Sequence, residues 1–308
     1  MNASVDYLLE ALARYEAINN ERSFVAMAVS GLLLRRIFGE DWARKRLILN
    51  DKPDPWMLNG NDAWLTTYPA APPDLRRVTY SSRVVRLADA LFTIIGKVDG
   101  FERLRERFLI RNDTRSSFLE AEIASLLVHN GCSVSVIGES GVRGQDFDLL
   151  ATIMGMQVSV EVSAISGGNL SISTVLNKLN GKRDQVPPDR PAVLYVRLPD
   201  TWMPPNSGMG FLVLDAAVRR FMLKSKRINA IVFIGERVTP VAGGGGLHQW
   251  LAPVYNNYPR QLIPDYSVFS LKRDKWGVEG ISVSFLDKLR ELRVRRQMAS
   301  AQVNARSM

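Results

Sequence analysis

Hydrophobic residues recur at helical spacing through the first third of the chain. Leu8 and Leu12 lie four residues apart, as neighbours on one face of an amphipathic helix do. The same spacing continues downstream and predicts helices over residues 5–48, 84–95 and 101–110. We therefore expect residues 1–110 to form a helical N-terminal region.

Residues 51–75 break this helical pattern. Six prolines and glycines punctuate the segment, which also carries Trp56 and Trp64. Proline and glycine at this density are typical of a loop. Tryptophans on a loop suggest an interface, either for a homodimer or for another protein bound through the N-terminal region.

From residue 111 onwards the pattern alternates between helical spacing and short apolar runs, as in an α/β domain. Gly131 is a good helix terminator after the first of these helices. The pattern predicts helices over 114–130, 173–183 and 211–224, and strands over 133–137, 147–152, 158–163, 192–197 and 228–234. The glycine run 243–246 predicts a flexible loop. The α/β domain is expected to span residues 111–275.

Two of the predicted strands carry acidic side chains and are joined by a glycine turn. Side chains alternate between the two faces of a strand, so Asp146 and Asp148 should share one face of the first run. Glu161 lies on the polar face of the second run, beside Ser163. If the two polar faces coincide, carboxylate oxygens converge on a site suited to Mg²⁺ or Mn²⁺. The alternative is a solvated face of an ordinary hairpin.

The helices on either side of this hairpin carry further polar candidates. Glu120 and Glu122 flank the apolar stripe of the preceding helix, and either could reach the hairpin. In the following helix, Lys178, Lys182 and Gln185 are spaced four and three residues apart and so line one flank.

In this order, the motifs resemble those of the PD-(D/E)xK nuclease superfamily, also called restriction-endonuclease-like. The resemblance covers residues 114–235 and rests on Leu-Glu-Ala-Glu-Ile-Ala, Asp-Phe-Asp-Leu and Val-Glu-Val, followed by Lys-Arg-Asp-Gln-Val-Pro and Ala-Val-Leu-Tyr-Val. It implies a mixed central sheet flanked by helices. It also implies that Asp146 or Asp148 fills the first acidic position, with Asp148 preferred, and that Glu161 fills the second and Glu120 the helix position.

The sequence departs from the family pattern twice. Gln145 replaces a common proline, and Ser163 stands where the motif lysine belongs. Serine cannot supply the positive charge that this lysine is thought to provide at the phosphate. Lys182 or Lys178 of the next helix could supply that charge, since some relatives take it from there. Otherwise the site is inactive.

The resemblance also implies the chemistry. Asp148 and Glu161, with Asp146 as a further ligand candidate, would hold Mg²⁺ or Mn²⁺, which lowers the pKa of bound water and stabilises the transition state of phosphodiester hydrolysis. Lys182 would add positive charge, Gln185 would position water or a phosphate oxygen, and Glu120 would support the metal ligands.

Composition favours a polyanionic partner and excludes several other chemistries. The chain has 40 basic and 31 acidic residues, a formal net charge of +9, one cysteine and two histidines. The excess of positive charge favours nucleic acid, with DNA expected, and it continues in a basic C-terminal helix or tail over residues 276–308. A single cysteine excludes a disulfide framework or a thiolate zinc cluster within the chain.

We recognise no signal peptide and no apolar run long enough for a bilayer, so we expect a cytoplasmic protein with no membrane contact. The leading functional hypothesis is a metal-dependent nuclease acting on DNA. The second is an inactive nuclease-like fold that binds nucleic acid or protein. The third is an unrelated α/β protein with ordinary surface carboxylates.

Overall fold

In the computed structural model, two compact units make up the chain: residues 1–93 with 277–308, and residues 94–276. The described residues are 2–18, 22–46, 73–110, 114–138, 140–142, 144–165, 169–199, 202, 209–241, 244–270 and 284–306. The predicted tryptophan-containing loop therefore lies outside the described residues, except that a helix begins at Pro73.

The first unit is built from helices. Its members are α1 (Asn2–Ile18), α2 (Arg22–Phe38), α3 (Glu40–Arg46), α4 (Pro73–Ile94) and α9 (Ser284–Arg306). The predicted helical spacing is confirmed here, and residues such as Leu12 and Leu34 are fully buried. Among the described residues, no helix is both long and apolar enough to cross a bilayer.

The basic C-terminal helix α9 belongs to this first unit. Arg290 and Arg293 donate to the two carboxylate oxygens of Glu16 on α1, at 2.9 and 2.7 Å. Phe285 at the start of α9 is fully buried and its ring lies 5.8 Å from that of Phe92. Part of the positive charge of α9 is thus paired within the unit, and its apolar residues anchor the helix.

The second unit is an α/β fold with a six-stranded mixed sheet. Its elements, in chain order, are α5 (Phe101–Ile110), α6 (Thr114–His129), β1 (Ser133–Val136), β2 (Leu149–Ile153), β3 (Met156–Ala164), α7 (Ile172–Arg183), β4 (Ala192–Arg197), α8 (Met209–Lys224), β5 (Ile228–Val241) and β6 (Gly244–Tyr255). The strands are ordered β1-β2-β3-β4-β5-β6. β3, β4 and β5 are parallel, whereas the β1/β2, β2/β3 and β5/β6 pairs are antiparallel.

A two-residue turn joins β2 to β3, as the glycine in the sequence predicts. Met154 and Gly155 both have positive φ, at 49° and 84°, which is the backbone geometry of the tight turns favoured in hairpins. Ile153 then pairs with Met156 and Leu149 with Val160. This register places the segment just before β2 beside Glu161.

The glycine run near residue 243 was predicted as a flexible loop, and this prediction is wrong for Gly244, Gly245 and Gly246. These glycines begin β6 and pair with residues 239–241 of β5. Glycine weakens a strand but does not forbid it, and a long antiparallel partner supplies the hydrogen bonds. The sequence pattern also ended β5 at residue 234, whereas the strand continues to Val241.

The core of the second unit lies on both faces of β4. All six residues of this strand are buried, as expected for a central parallel strand covered by helices. Leu194 and Val196 join a buried cluster with Val175 and Leu179 of α7 and with side chains of α8. α6 packs against β1, β2 and β3. These layers hold the hairpin and its neighbouring helices in fixed positions.

Candidate acidic site

Asp148 lies immediately before β2 and is held by the backbone of the hairpin. Its Oδ2 accepts a hydrogen bond of 2.8 Å from the backbone N–H of Val162. Its own backbone carbonyl accepts from the N–H of Ile137, at 2.9 Å. The side chain is 18% exposed. The carboxylate is therefore anchored at the level of Glu161 while remaining within reach of solvent.

Glu161 lies in the middle of β3 and is almost fully buried, with 2% of the residue exposed. Its Oε1 accepts a hydrogen bond of 2.7 Å from Nζ of Lys182 on α7. Its Oε2 is buried and has no hydrogen-bond partner among the described residues. A buried carboxylate oxygen without a partner is costly, so this oxygen is a natural place for a ligand or a proton.

The two carboxyl groups perturb each other. Burial raises the pKa of Glu161 well above its usual value, and the nearby charge of Asp148 raises it further, against the opposing charge of Lys182. Burial also raises the pKa of Asp148, although the Val162 N–H and the charge of Lys182 oppose this shift. Two acids that both resist ionisation, close to one another, form a site that gains from a bound cation.

Lys182, rather than Lys178, is the lysine that the fold brings to the carboxylates. Both lie on α7, which begins at the N-cap Ser171, but Lys178 is exposed while Lys182 is in the last turn and is only 30% exposed. Burial would lower the pKa of Lys182, but the charge and hydrogen bond of Glu161 overcome this effect and raise it. Lys182 is therefore a charged ammonium at the site.

Gln185 follows one turn after Lys182, and its backbone N–H donates to the carbonyl of Lys182 at 3.2 Å. Its side-chain Oε1 is buried and has no hydrogen-bond partner within the described ranges. The predicted role of Gln185 in positioning water or phosphate stays a prediction, since the side chain makes no direct contact with either carboxylate among the described interactions.

Arg107 links Glu120 to the acidic site, and the sequence patterns did not predict this arginine. Arg107 of α5 donates to Glu120 Oε2, donates to the carbonyl of Ile137 at 2.5 Å and lies 3.6 Å from Asp148 Oδ1. The charge of Glu120 also contributes to the raised pKa of Lys182. The fold thus brings Glu120, Asp148, Glu161 and Lys182 together around one position.

A signal for Arg107 was present in the sequence. Leu104, Arg107 and Phe108 are all buried on one face of α5, at spacings of three and one. An arginine on an apolar helix stripe needs a buried carboxylate or carbonyl partner. Arg107 interrupts the apolar stripe of α5, and this interruption is the sequence signal for a buried charge partner.

Asp146 is held elsewhere. Its Oδ1 accepts from the backbone N–H groups of Ser140 and Gly141 and from the Ser140 hydroxyl, at 2.6, 3.0 and 2.8 Å. The hydrogen bonds from Ser140 are the main cause of its lowered pKa. The carboxylate of Asp146 therefore organises the loop before β2. Its proposed contribution to a metal site remains a prediction.

Glu122, the other acid on α6, belongs to a separate buried cluster. Arg197 at the end of β4 contacts Glu122 Oε2 at 2.7 Å and Glu236 Oε1 of β5 at 3.3 Å. The Arg197 guanidinium also lies 5.8 Å from the centre of the Phe118 ring. Glu120 and Glu122 thus serve different charge clusters, although they are only two residues apart.

The donor set fits a hard divalent cation held by few protein ligands. Across the described residues, no three His, Cys, Asp or Glu side chains are grouped so as to hold a metal ion. Mg²⁺, however, usually keeps several waters and takes only one or two protein carboxylates, together with phosphate oxygens. Asp148 and the unpartnered Oε2 of Glu161 meet that requirement.

Comparisons of the chain with protein-family models, curated proteins and solved structures gave no match.

Proposed function

We propose that the chain is a metal-dependent nuclease that hydrolyses phosphodiester bonds in DNA. The observation that carries this proposal is the contact of 2.7 Å between Lys182 Nζ and Glu161 Oε1, beside Asp148. Serine occupies position 163, where the family motif has lysine. Lys182 of the next helix instead contacts the carboxylate of Glu161. Two carboxylates and one ammonium are the groups that this chemistry requires.

The order of elements supports a restriction-endonuclease-like core. Helix α6 carries Glu120, the hairpin β2-β3 carries Asp148 and Glu161, helix α7 carries Lys182, and strand β4 follows parallel to β3. This is the order of motifs on which the resemblance rests. Strand β1 pairs antiparallel with β2 at one edge of the mixed sheet. We therefore propose that the core of the second unit is restriction-endonuclease-like.

Asp148 and Glu161 would hold the divalent ion. When bound, such an ion lowers the pKa of a coordinated water and withdraws negative charge from a phosphate oxygen. The Val162 N–H fixes the orientation of Asp148 by binding its Oδ2. Burial is the main cause of the raised pKa of each carboxyl group, so the positive charge of a bound cation would favour their ionised forms.

Lys182 would stabilise charge that develops on the phosphate. Its ammonium has three N–H donors, one of which binds Glu161. The side chain is 30% exposed, so the other donors would be available to a phosphate oxygen. Removing one fixed positive donor from a site of this kind lowers kcat by roughly 10²–10³. Arg107 would keep Glu120 and Asp148 oriented from the buried side.

The experiment that tests this proposal is DNA cleavage with a matched inactive protein. Purified wild-type chain and an Asp148→Ala, Glu161→Ala double variant are incubated with plasmid, linear duplex and single-stranded DNA in Mg²⁺ or Mn²⁺. We expect cleavage by the wild type alone, abolished by EDTA. Equal cleavage by both proteins would indicate a contaminating nuclease and would remove the support for the proposal.

A second candidate is an inactive nuclease-like fold that binds nucleic acid. The position of Arg107 favours this candidate. Arg107 is bound to Glu120 and lies 3.6 Å from Asp148 Oδ1, so its guanidinium supplies positive charge beside Asp148 where a metal ion would otherwise do so. Ser163 also favours this candidate, because it stands where the family motif has its lysine. DNA binding without cleavage in any metal, equal for the wild type and the double variant, would favour this candidate over the nuclease.

A further inference from the structure

Three arginines from separate segments line one small open pocket in the second unit. The pocket is a shallow surface depression lined by residues 188–191 and by Arg227, Arg260 and Gln261. Arg190 is the third arginine. Asp189 is the acidic residue among the lining side chains. We call this the arginine pocket, defined by Arg190, Arg227 and Arg260.

The sheet topology explains why these arginines converge. Arg190 precedes β4, and Arg227 precedes β5, which is parallel to β4. Arg260 follows β6, which is antiparallel to β5. The starts of two parallel strands and the end of an antiparallel neighbour lie at the same edge of a sheet. The three side chains are therefore brought to one place by the fold, although they are more than 30 residues apart in sequence.

Two of the arginines are held by backbone carbonyls. Arg227 Nη2 donates to the carbonyl of Arg183 at 2.5 Å, and Arg260 Nη1 donates to the carbonyl of Pro188 at 3.3 Å. The backbone N–H of Arg260 also donates to the carbonyl of Lys226, at 2.7 Å. A guanidinium carries five N–H donors in a fixed plane. Arg260 therefore keeps donors for an anion while its position is restrained.

The pocket adjoins the acidic site. The Arg190 guanidinium lies 6.0 Å from the centre of the Phe147 ring, and Phe147 directly precedes Asp148. Arg183, whose carbonyl holds Arg227, directly follows Lys182. Arg190 lies two residues before the start of β4, the strand on which Leu194 is the partner of Glu161.

A chain of phosphates has the chemistry that this arrangement recognises. Planar guanidinium groups bind phosphate oxygens in pairs of parallel hydrogen bonds. A polynucleotide held at Asp148 and Glu161 would extend past Lys182 towards the arginine pocket. The formal charge of +9 on the chain favours the same class of ligand.

We infer that the arginine pocket binds a phosphate of the polynucleotide whose cleaved bond lies at Asp148 and Glu161. This inference rests on the proposed function for its choice of ligand. The phosphate is either an internal diester of the strand or the monoester at a strand end. Both present the same oxygens to the guanidinium groups, and the two sources can be separated by experiment.

The test is DNA binding by an Arg190→Gln, Arg260→Gln double variant. Arg227 is left in place because its bond to the Arg183 carbonyl supports the fold. The matched control is an Arg105→Gln, Arg219→Gln double variant, which loses the same charge at exposed positions on α5 and α8. Fluorescence anisotropy in EDTA gives Kd for a labelled linear duplex with 5′-phosphate ends, for the same duplex with 5′-hydroxyl ends, and for its single strand.

We expect the pocket variant to bind about tenfold more weakly than the wild type. We also expect the slope of log K against log salt to fall by about 1 to 2, since each lost phosphate contact contributes about 0.9 on duplex DNA. The control variant should change Kd much less. Weakening confined to the 5′-phosphate duplex would assign the pocket to a terminal phosphate, and equal weakening on both duplexes to an internal one.

The pocket inference is overturned if the wild type binds none of these DNAs, or if the pocket variant and the control lose the same affinity. Hydrolysis of bis(p-nitrophenyl) phosphate in Mn²⁺ separates this failure from a failure of the proposed function. This small diester is too short to reach the pocket, so the pocket variant should hydrolyse it at the wild-type rate. If the wild type hydrolyses neither this diester nor DNA, the nuclease proposal fails. The DNA-binding data then still show whether the arginine pocket binds phosphate.

Discussion

Replacing Lys182 with methionine should destabilise the second unit in a strongly pH-dependent way. Methionine keeps much of the apolar stem but removes the ammonium that binds Glu161 Oε1 at 2.7 Å. A hydrogen bond to a charged group contributes about 1.5–3 kcal/mol. Breaking one side of a fully buried ion pair costs about 3–5 kcal/mol. Because Lys182 is 30% exposed, the lower range applies, and we expect a loss of about 2 kcal/mol at pH 8.

The sign of the pH dependence follows from the shifted groups. The folded-state pKa of Glu161 is raised, so its ionisation destabilises the fold, and stability is lost as pH rises from the unfolded-state pKa through the folded one. Without Lys182, that pKa rises further and more stability is lost. The pKa of Lys182 is itself raised, so its contribution is complete at pH 8 and disappears only at more alkaline pH. The cost of Lys182→Met should therefore be small at pH 5.

The assay is hydrogen exchange of the β3 peptides during urea unfolding, because it reports the second unit separately from the first. Lys178→Met, one turn earlier on α7 and exposed, is the matched control and should change stability little. In a Glu161→Gln background the Lys182→Met substitution should cost much less than in the wild type. An equal cost at pH 5 and pH 8, undiminished by Glu161→Gln, would refute the electrostatic reasoning.

Three further predictions concern the neighbouring charges. Arg107→Met should cost about 3–5 kcal/mol in urea unfolding because it removes the arginine that binds the buried carboxylate of Glu120. Arg105→Met, in an exposed pair, should cost about 1 kcal/mol or less. Arg197→Met should lower the free energy of unfolding by about 3–5 kcal/mol. It should leave Mn²⁺ affinity unchanged because Glu122 and Glu236, the partners of Arg197, are outside the acidic site. A weakened Mn²⁺ affinity in calorimetry would contradict this separation. Lys182→Ala should lower DNA cleavage by roughly 10²–10³, and adding Ser163→Lys should restore part of the rate; full activity of Lys182→Ala would exclude its proposed role.

Local patterns were sufficient to predict most of the elements of the second unit. The apolar run of β4 was predicted with its observed bounds, Ala192–Arg197, because a central strand is apolar on both faces. The turn at Met154 and Gly155 was predicted because glycine accommodates positive φ. The strand β6 was missed because its first residues are glycines, whose pairing depends on the partner strand β5 rather than on their own preference.

The candidate site was predictable in part for the same reason. Strand alternation and helix spacing brought Asp148, Glu161 and Lys182 into consideration, but spacing could not choose between Lys178 and Lys182. That choice depends on where α7 crosses the sheet, which only the tertiary packing fixes. Arg107 was missed because it lies outside the span of the family resemblance and enters the site from α5.

The measurement that tests the central claim most directly is Mn²⁺ binding to the purified chain by isothermal titration calorimetry. The wild type is compared with an Asp148→Asn, Glu161→Gln variant that keeps the shape of both side chains. We predict saturable binding of Mn²⁺ to the wild type at pH 8 and its loss in the variant, with both proteins folded by circular dichroism. Equal binding to both proteins, or no binding to the wild type, would contradict the claim that these two carboxylates form a metal site.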